Sequence, residues 1–261
     1  MAPERTPPPV ATTAPPDSFV LPSRVLGEDR RINVYMPPGY AGGTAAFPVL
    51  YMPDGGVEED FPHVTATVDR LIRDGAIRPV LVVGIENTER RRDLTGPTEV
   101  ATDREIAPRV GGSAAFRAFV RDELMPRIVA GYRTTDETAI MGESLAGLFV
   151  VETFLLEPTL FRGYVALSPS VWWNGEALVQ GAAAHLGRLA AAPPAARVLF
   201  LASADEDNIV PGVGRLADVL RAAAVPSLRW TYQPRPDLRH DNIYRSLSAT
   251  AVQALFGTAA P

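Results

Sequence analysis

Between residues 47 and 232 the chain alternates short unbroken apolar runs with longer stretches in which apolar residues recur every three or four positions. Residues 47–52, 79–85, 138–141, 164–168 and 197–202 are runs of the first kind, short enough for strands covered on both faces. Residues 64–72, 114–128, 176–192, 214–223 and 243–256 follow the helical spacing, and 228–232 reads as a last strand. Strand and helix taking turns in this way predict an α/β fold: a mostly parallel central sheet with helices on both faces. Ahead of it, residues 19–21 and 32–36 flank the Gly27-Glu28-Asp29 turn and predict two antiparallel strands at the opening edge of the sheet. Pro193-Pro194 is expected to stop the helix before it. Residues 86–112 form a long irregular segment with two prolines, and such a segment after a buried strand favours a functional loop.

Composition narrows the class. Residues 1–17 carry six prolines among small and polar residues and predict a disordered tail, leaving 18–261 as a single domain. With a net charge of −5 there is no basic footprint for nucleic acid or an anionic membrane. All 25 basic residues are arginine, the signature of a GC-rich codon supply. The absence of cysteine excludes disulfide scaffolds, thiolate metal sites and a cysteine nucleophile. No window approaches the roughly 18 apolar residues of a membrane span, and the N-terminus lacks a charged-then-apolar signal. The expectation is a soluble protein, cytoplasmic by default or secreted if a signal was removed ahead of Met1.

The candidate chemistry lies at the carboxyl ends of the strands, where doubly wound sheets bind their ligands. Ser144 stands between an apolar run and a helical one, with Gly142 and Ala146 two residues to either side; small residues there permit the sharp strand-to-helix turn of a nucleophile elbow. The plain alternative is a helix cap. The acidic cluster Asp205-Glu206-Asp207 follows a later strand and His240 follows the last one, so the chain order is serine, acid, histidine. A serine hydroxyl becomes a competent nucleophile when an imidazole takes its proton, and a carboxylate fixes the imidazole tautomer and stabilises its cation. Of the three histidines, His185 falls in an alanine-rich helix and His63 in an entrance loop, which leaves His240 as the base. The turn Pro53-Asp54-Gly55-Gly56 offers the Gly56 N–H as an oxyanion donor, or is simply a turn.

Gly142-Glu143-Ser144-Leu145-Ala146-Gly147-Leu148-Phe149, the upstream Asp54-Gly55, Arg92-Asp93-Leu94-Thr95, Ser168-Pro169-Ser170 with Trp172-Trp173, and His240 ahead of Arg245-Ser246-Leu247 resemble the esterase D and enterochelin-esterase-like branch of the α/β-hydrolases. The likeness covers roughly residues 18 to 257. It implies that Ser144 attacks an ester carbonyl, that His240 is its base, that Asp205 is the acid, and that the N–H groups of Leu145 and Gly56 hold the oxyanion, with no metal or organic cofactor. Two points depart from the family pattern. Ala146 stands where glycine is common, which implies a tighter elbow. Some siderophore trilactone esterases of the family work with a serine–histidine pair and no conventional acid, so Glu206, Asp207 or no acid at all remain open beside Asp205.

The resemblance and the site together predict a serine esterase acting on a small-molecule ester or lactone through an acyl-enzyme. The alternatives are an acyltransferase with the same triad and a non-catalytic binding protein on this fold. Arg90 and Arg92 of the long loop, with Trp172 and Trp173, are the expected substrate-reading residues: guanidinium suits carboxylate, catecholate or phosphate oxygens, and indole suits flat acyl groups. The competing reading makes Arg92 and Asp93 a structural ion pair and the tryptophans packing. Oligomeric state is not legible.

Overall fold

The computed structural model describes residues 17–192 and 195–258. The tail through residue 16 and the Pro193-Pro194 stop lie outside the described residues, while Asp17, assigned to the tail from sequence, opens the first strand. Eight strands form one sheet: β1 (Asp17–Ser23), β2 (Glu28–Tyr35), β3 (Phe47–Pro53), β4 (Leu81–Ile85), β5 (Thr134–Glu143), β6 (Gly163–Leu167), β7 (Arg197–Ala204) and β8 (Leu228–Arg235). Their order is β1-β2-β4-β3-β5-β6-β7-β8. Only the pairings of β1 with β2 and of β2 with β4 are antiparallel; from β4 to β8 all neighbours run parallel. This is the α/β-hydrolase arrangement, and its carboxyl edge gathers the ends of β3, β5, β6, β7 and β8.

Buried side chains on the two faces of the sheet form separate clusters. α1 (Phe61–Arg73) and α9 (His240–Phe256) cover one face through Val64, Val68, Ile243 and Leu247. α4 (Ser113–Phe119), α5 (Met125–Gly131), α6 (Leu145–Leu156), α7 (Trp173–Ala191) and α8 (Val210–Ala223) cover the other. Because the middle strands of the sheet are covered on both sides, their buried stretches, such as 49–52, 81–85, 139–141 and 164–167, are apolar without alternation, as the sequence pattern required. The helix expected over 114–128 is longer and interrupted: a π turn at Val120–Leu124 joins α4 to α5, since Pro126 has no N–H to give the ladder and a widened turn accommodates the break. The long loop is less irregular than expected, with single turns α2 (Arg90–Asp93) and α3 (Ala101–Arg104). Among the described residues, no helix is long and apolar enough to cross a membrane.

Candidate active site

Ser144 lies between the last residue of β5 and the first of α6 with φ 59° and ψ −120°. A side-chain-bearing residue reaches this conformation only when its surroundings impose it. They do: Ser144 N–H donates to Leu167 O at 3.0 Å, and its carbonyl accepts from Ser170 N–H at 3.0 Å and Leu148 N–H at 2.9 Å. Gly142 has no room for a side chain, because a Cβ there would lie 2.7 Å from the Cβ of Ala146. The carbonyl carbon and oxygen of Ala146 lie equally close, at 2.7 and 2.8 Å, so backbone and methyl together make Gly142 obligatory. Leu145 occupies the first position of α6, so its N–H is one of the unpaired first-turn donors that favour developing negative charge.

His240 opens α9 with its side chain about half exposed, and its Nδ1 lies 2.6 Å from Glu206 Oε2. The other oxygen, Glu206 Oε1, accepts from the Ser168 hydroxyl at 2.7 Å, and Ser168 Oγ in turn accepts from Ala204 N–H at 3.0 Å. Both carboxylate oxygens are thus occupied on a side chain that is mostly buried. Asp205 is placed differently from the expectation. Its backbone N–H donates to Leu238 O at 3.0 Å, which ties the two loops together, and its carboxylate turns outward to pair with Arg239. The acid that meets His240 is therefore Glu206, one residue later and one methylene longer; Asp207 is exposed. No described hydrogen bond joins Ser144 Oγ to His240.

The Gly56 N–H is not an open donor. It donates to Glu59 Oε2 at 2.7 Å, while Glu59 Oε1 accepts from Asn87 at 2.8 Å. The turn closes on itself because Glu59 N–H bonds Gly56 O and Asp60 N–H bonds Asp54 O. Gly55 is required for packing, since a Cβ would fall 2.3 Å from Gly84 Cα.

The residues expected to read substrate separate into two groups. Arg92 is engaged by Glu28 at 2.6 Å and Asp93 at 2.6 Å, beside the fully buried pair of Arg30 with Asp93 at 2.5 Å. These partners hold its guanidinium firmly charged, and it is a structural residue. Trp173 is 4 % exposed and donates its indole N–H to Gly96 O at 2.8 Å, so it too is packing. Trp172 remains half buried, its ring 6.0 Å from that of Trp173. Arg90 clamps Asp54 through both oxygens at 2.6 and 2.8 Å. With Arg91, Arg92 and Arg109 it also lines a cavity of about 590 Å³.

Sequence reasoning passed over Glu143. Burial, then Asp60, Asp54 and Glu206, push its carboxyl up to about 8, against the opposing pull of Arg90. The signal was an acidic residue just past the apolar run 139–141 that leads into the elbow.

A family model described as "Putative esterase" matches residues 23–229. Among curated proteins, the ferri-bacillibactin esterase BesA of Bacillus subtilis is 32% identical over 164 residues, 56% of this chain and 56% of that protein. The iron(III) salmochelin esterase of Escherichia coli O6:H1 is 26% identical over 218 residues, 78% of this chain and 49% of that protein. The chain thus spans about half the length of these two relatives. Among solved structures, an IroE-like serine hydrolase from Shewanella oneidensis superposes with TM-score 0.82 at 25% identity, covering 92% of this chain and 80% of that one. The BES protein from Bacillus cereus superposes with TM-score 0.83 at 18% identity, over 99% and 100% of the two chains, a likeness of fold. With the family model matched over most of its length, this chain belongs to that esterase family, in the company of enterochelin-esterase-like α/β-hydrolases.

Proposed function

We propose that the protein is a serine hydrolase of carboxylic esters or lactones, in which Ser144 is the nucleophile, His240 the base and Glu206 the acid. The observation that carries this reading is a serine in strained elbow geometry at the same sheet edge as a buried carboxylate 2.6 Å from a histidine. As Ser144 Oγ attacks the ester carbonyl, its proton passes to His240 Nε2. Glu206 stabilises the imidazolium through Nδ1, and the Leu145 N–H faces the oxyanion. The imidazolium then protonates the leaving alcohol, and water hydrolyses the acyl-enzyme by the same proton relay in reverse. For Gly56 to serve as a second donor, the Glu59 carboxylate must withdraw from it.

The substrate we infer is a siderophore-type macrolactone or aryl ester. The names of the relatives support it, as does the half-buried Trp172, two residues beyond Ser170, whose N–H bonds Ser144 O; an indole face suits a flat acyl group. A fluorophosphonate probe should label the protein and fail to label Ser144→Ala. Given labelling, a panel of alkyl, aryl and catecholate esters and lactones should show highest kcat/KM for the catecholate members, and added alcohol should not divert the products. Absence of labelling would overturn the hydrolase reading.

A further inference from the structure

Of five buried polar side-chain atoms that lack a partner among the described residues, four belong to three residues: Glu143 Oε1, directly before the nucleophile in the chain, both ring nitrogens of His63, and the Tyr244 hydroxyl. They come from the end of β5, the first turn of α1 and the beginning of α9. Tyr244 follows His240 by four positions and so lies on the same face of α9. It is 4 % exposed, and its ring meets that of His63 edge to face at 4.9 Å. His63 Nδ1 is 3.4 Å from Asp60 Oδ1, an ion-pair distance without hydrogen-bond alignment. Polar atoms left bare inside a protein are costly. One of them belongs to the residue directly before Ser144, so part of that cost falls at the elbow.

The groups around Glu143 show which form of the acid fits. Asp54 reaches it from just after β3, Asp60 from the residue ahead of α1, Arg90 from the segment after β4, Glu206 from the loop after β7, and Tyr244 from α9. Three of these are carboxylates, and the single guanidinium is already clamped on Asp54. A fourth carboxylate charge here has no free cation and no aligned donor to receive it, whereas a neutral carboxyl is accommodated.

We propose that Glu143 is a positioning residue that supports turnover only as the neutral acid, because once ionised it adds a fourth carboxylate charge to the three around it, on the residue directly before Ser144. The inference rests on the serine-hydrolase reading above. Burial and the surrounding carboxylates already hold Glu143 protonated at neutral pH. The rate of fluorophosphonate labelling should therefore fall about tenfold between roughly pH 8 and 9.5. Glu143→Gln, which cannot ionise, should lose this fall, so that its ratio of rates at pH 9.5 and 7.5 stays near one. Asp60→Asn removes one facing anion, eases ionisation of Glu143, and should move the midpoint about half a unit to lower pH. That variant keeps the test open should the glutamine variant fail to fold. A parent without an alkaline fall, a glutamine variant that retains it, or an unmoved midpoint in Asp60→Asn each overturns the inference while leaving the hydrolase reading intact. No labelling at any pH overturns both.

Discussion

Gly142→Ala is the perturbation whose size the elbow geometry sets most directly. The added methyl would lie 2.7 Å from both the carbonyl carbon and the Cβ of Ala146 and 2.8 Å from its carbonyl oxygen. Real carbon contacts do not close to that distance, and two of the three atoms are backbone, so no rotamer relieves the clash. Either the first turn of α6 lifts or Ser144 leaves its φ of 59°. Overpacking of this kind costs about 1–3 kcal/mol, which for a chain of this length lowers Tm by roughly 3–10 °C. A shift of a few tenths of an ångström at the nucleophile should reduce kcat about 10- to 100-fold, since a full ångström costs about 100-fold. The double variant Gly142→Ala/Ala146→Gly removes only the contact with the Ala146 Cβ, so it should recover part of the loss and not all. Thermal unfolding and the fluorophosphonate labelling rate measure both quantities. A single variant that unfolds within one degree of the parent and labels at the parent rate would refute the steric account of the elbow.

The other expectations concern the proton relay and its supports. Ser144→Ala and His240→Ala should each lower turnover by about 10⁶, and the double variant should lose no more, because the residues act as a unit. Glu206→Gln should cost about 10² to 10⁴ in kcat while Asp205→Asn stays within about threefold; equal effects would sink the assignment of the acid. Ser168→Ala strands the Ala204 N–H and frees one oxygen of Glu206, so both Tm and kcat should fall, with stability lower by about 1–3 kcal/mol. Glu143 binds its proton more tightly in the folded chain, with an affinity near pH 8 against an ordinary 4.5. Its stabilising contribution is therefore complete below pH 4.5 and is lost as pH rises toward 8. Glu143→Gln should overtake the parent in Tm across that window, by on the order of 2 kcal/mol at pH 8 once partial solvent screening is allowed for. A gap that stays constant with pH would show that Glu143 does not titrate there.

The parts of this architecture that depend on local pattern were legible in the sequence. Strand and helix alternation gave the sheet, and the small residues around Ser144 marked the elbow because sterics act within a few positions. What depends on distant chain segments was hidden. Arg92 is fixed by Glu28, 64 positions away, so its role as a structural residue could not be read beside Asp93 alone. The choice among three consecutive acids turned on two long-range facts: Asp205 N–H is held by Leu238 O, and the Ser168 hydroxyl waits for Glu206. Glu59 at the Gly56 N–H was likewise invisible, since a turn motif does not say which side chain folds back over it. The start of α7 departs from a regular helix at Asn174, Gly175 and Glu176, all with positive φ. The Asn174 N–H and side chain bond Asp103 and the Glu99 N–H from the loop, a tertiary demand that local propensity does not report.

The segment after β4 is pinned at three depths: the buried Arg30–Asp93 pair, the Trp173 indole on Gly96 O, and Asn174 on Glu99 N–H. A segment held at these three points is a poor candidate for the hinged lids whose motion limits many enzymes. On the hydrolase reading, parting of this segment is then not the step that limits turnover. A rigid, bulky ligand then meets no waiting step for a loop to part, and solvent viscosity should slow its turnover only through diffusion itself.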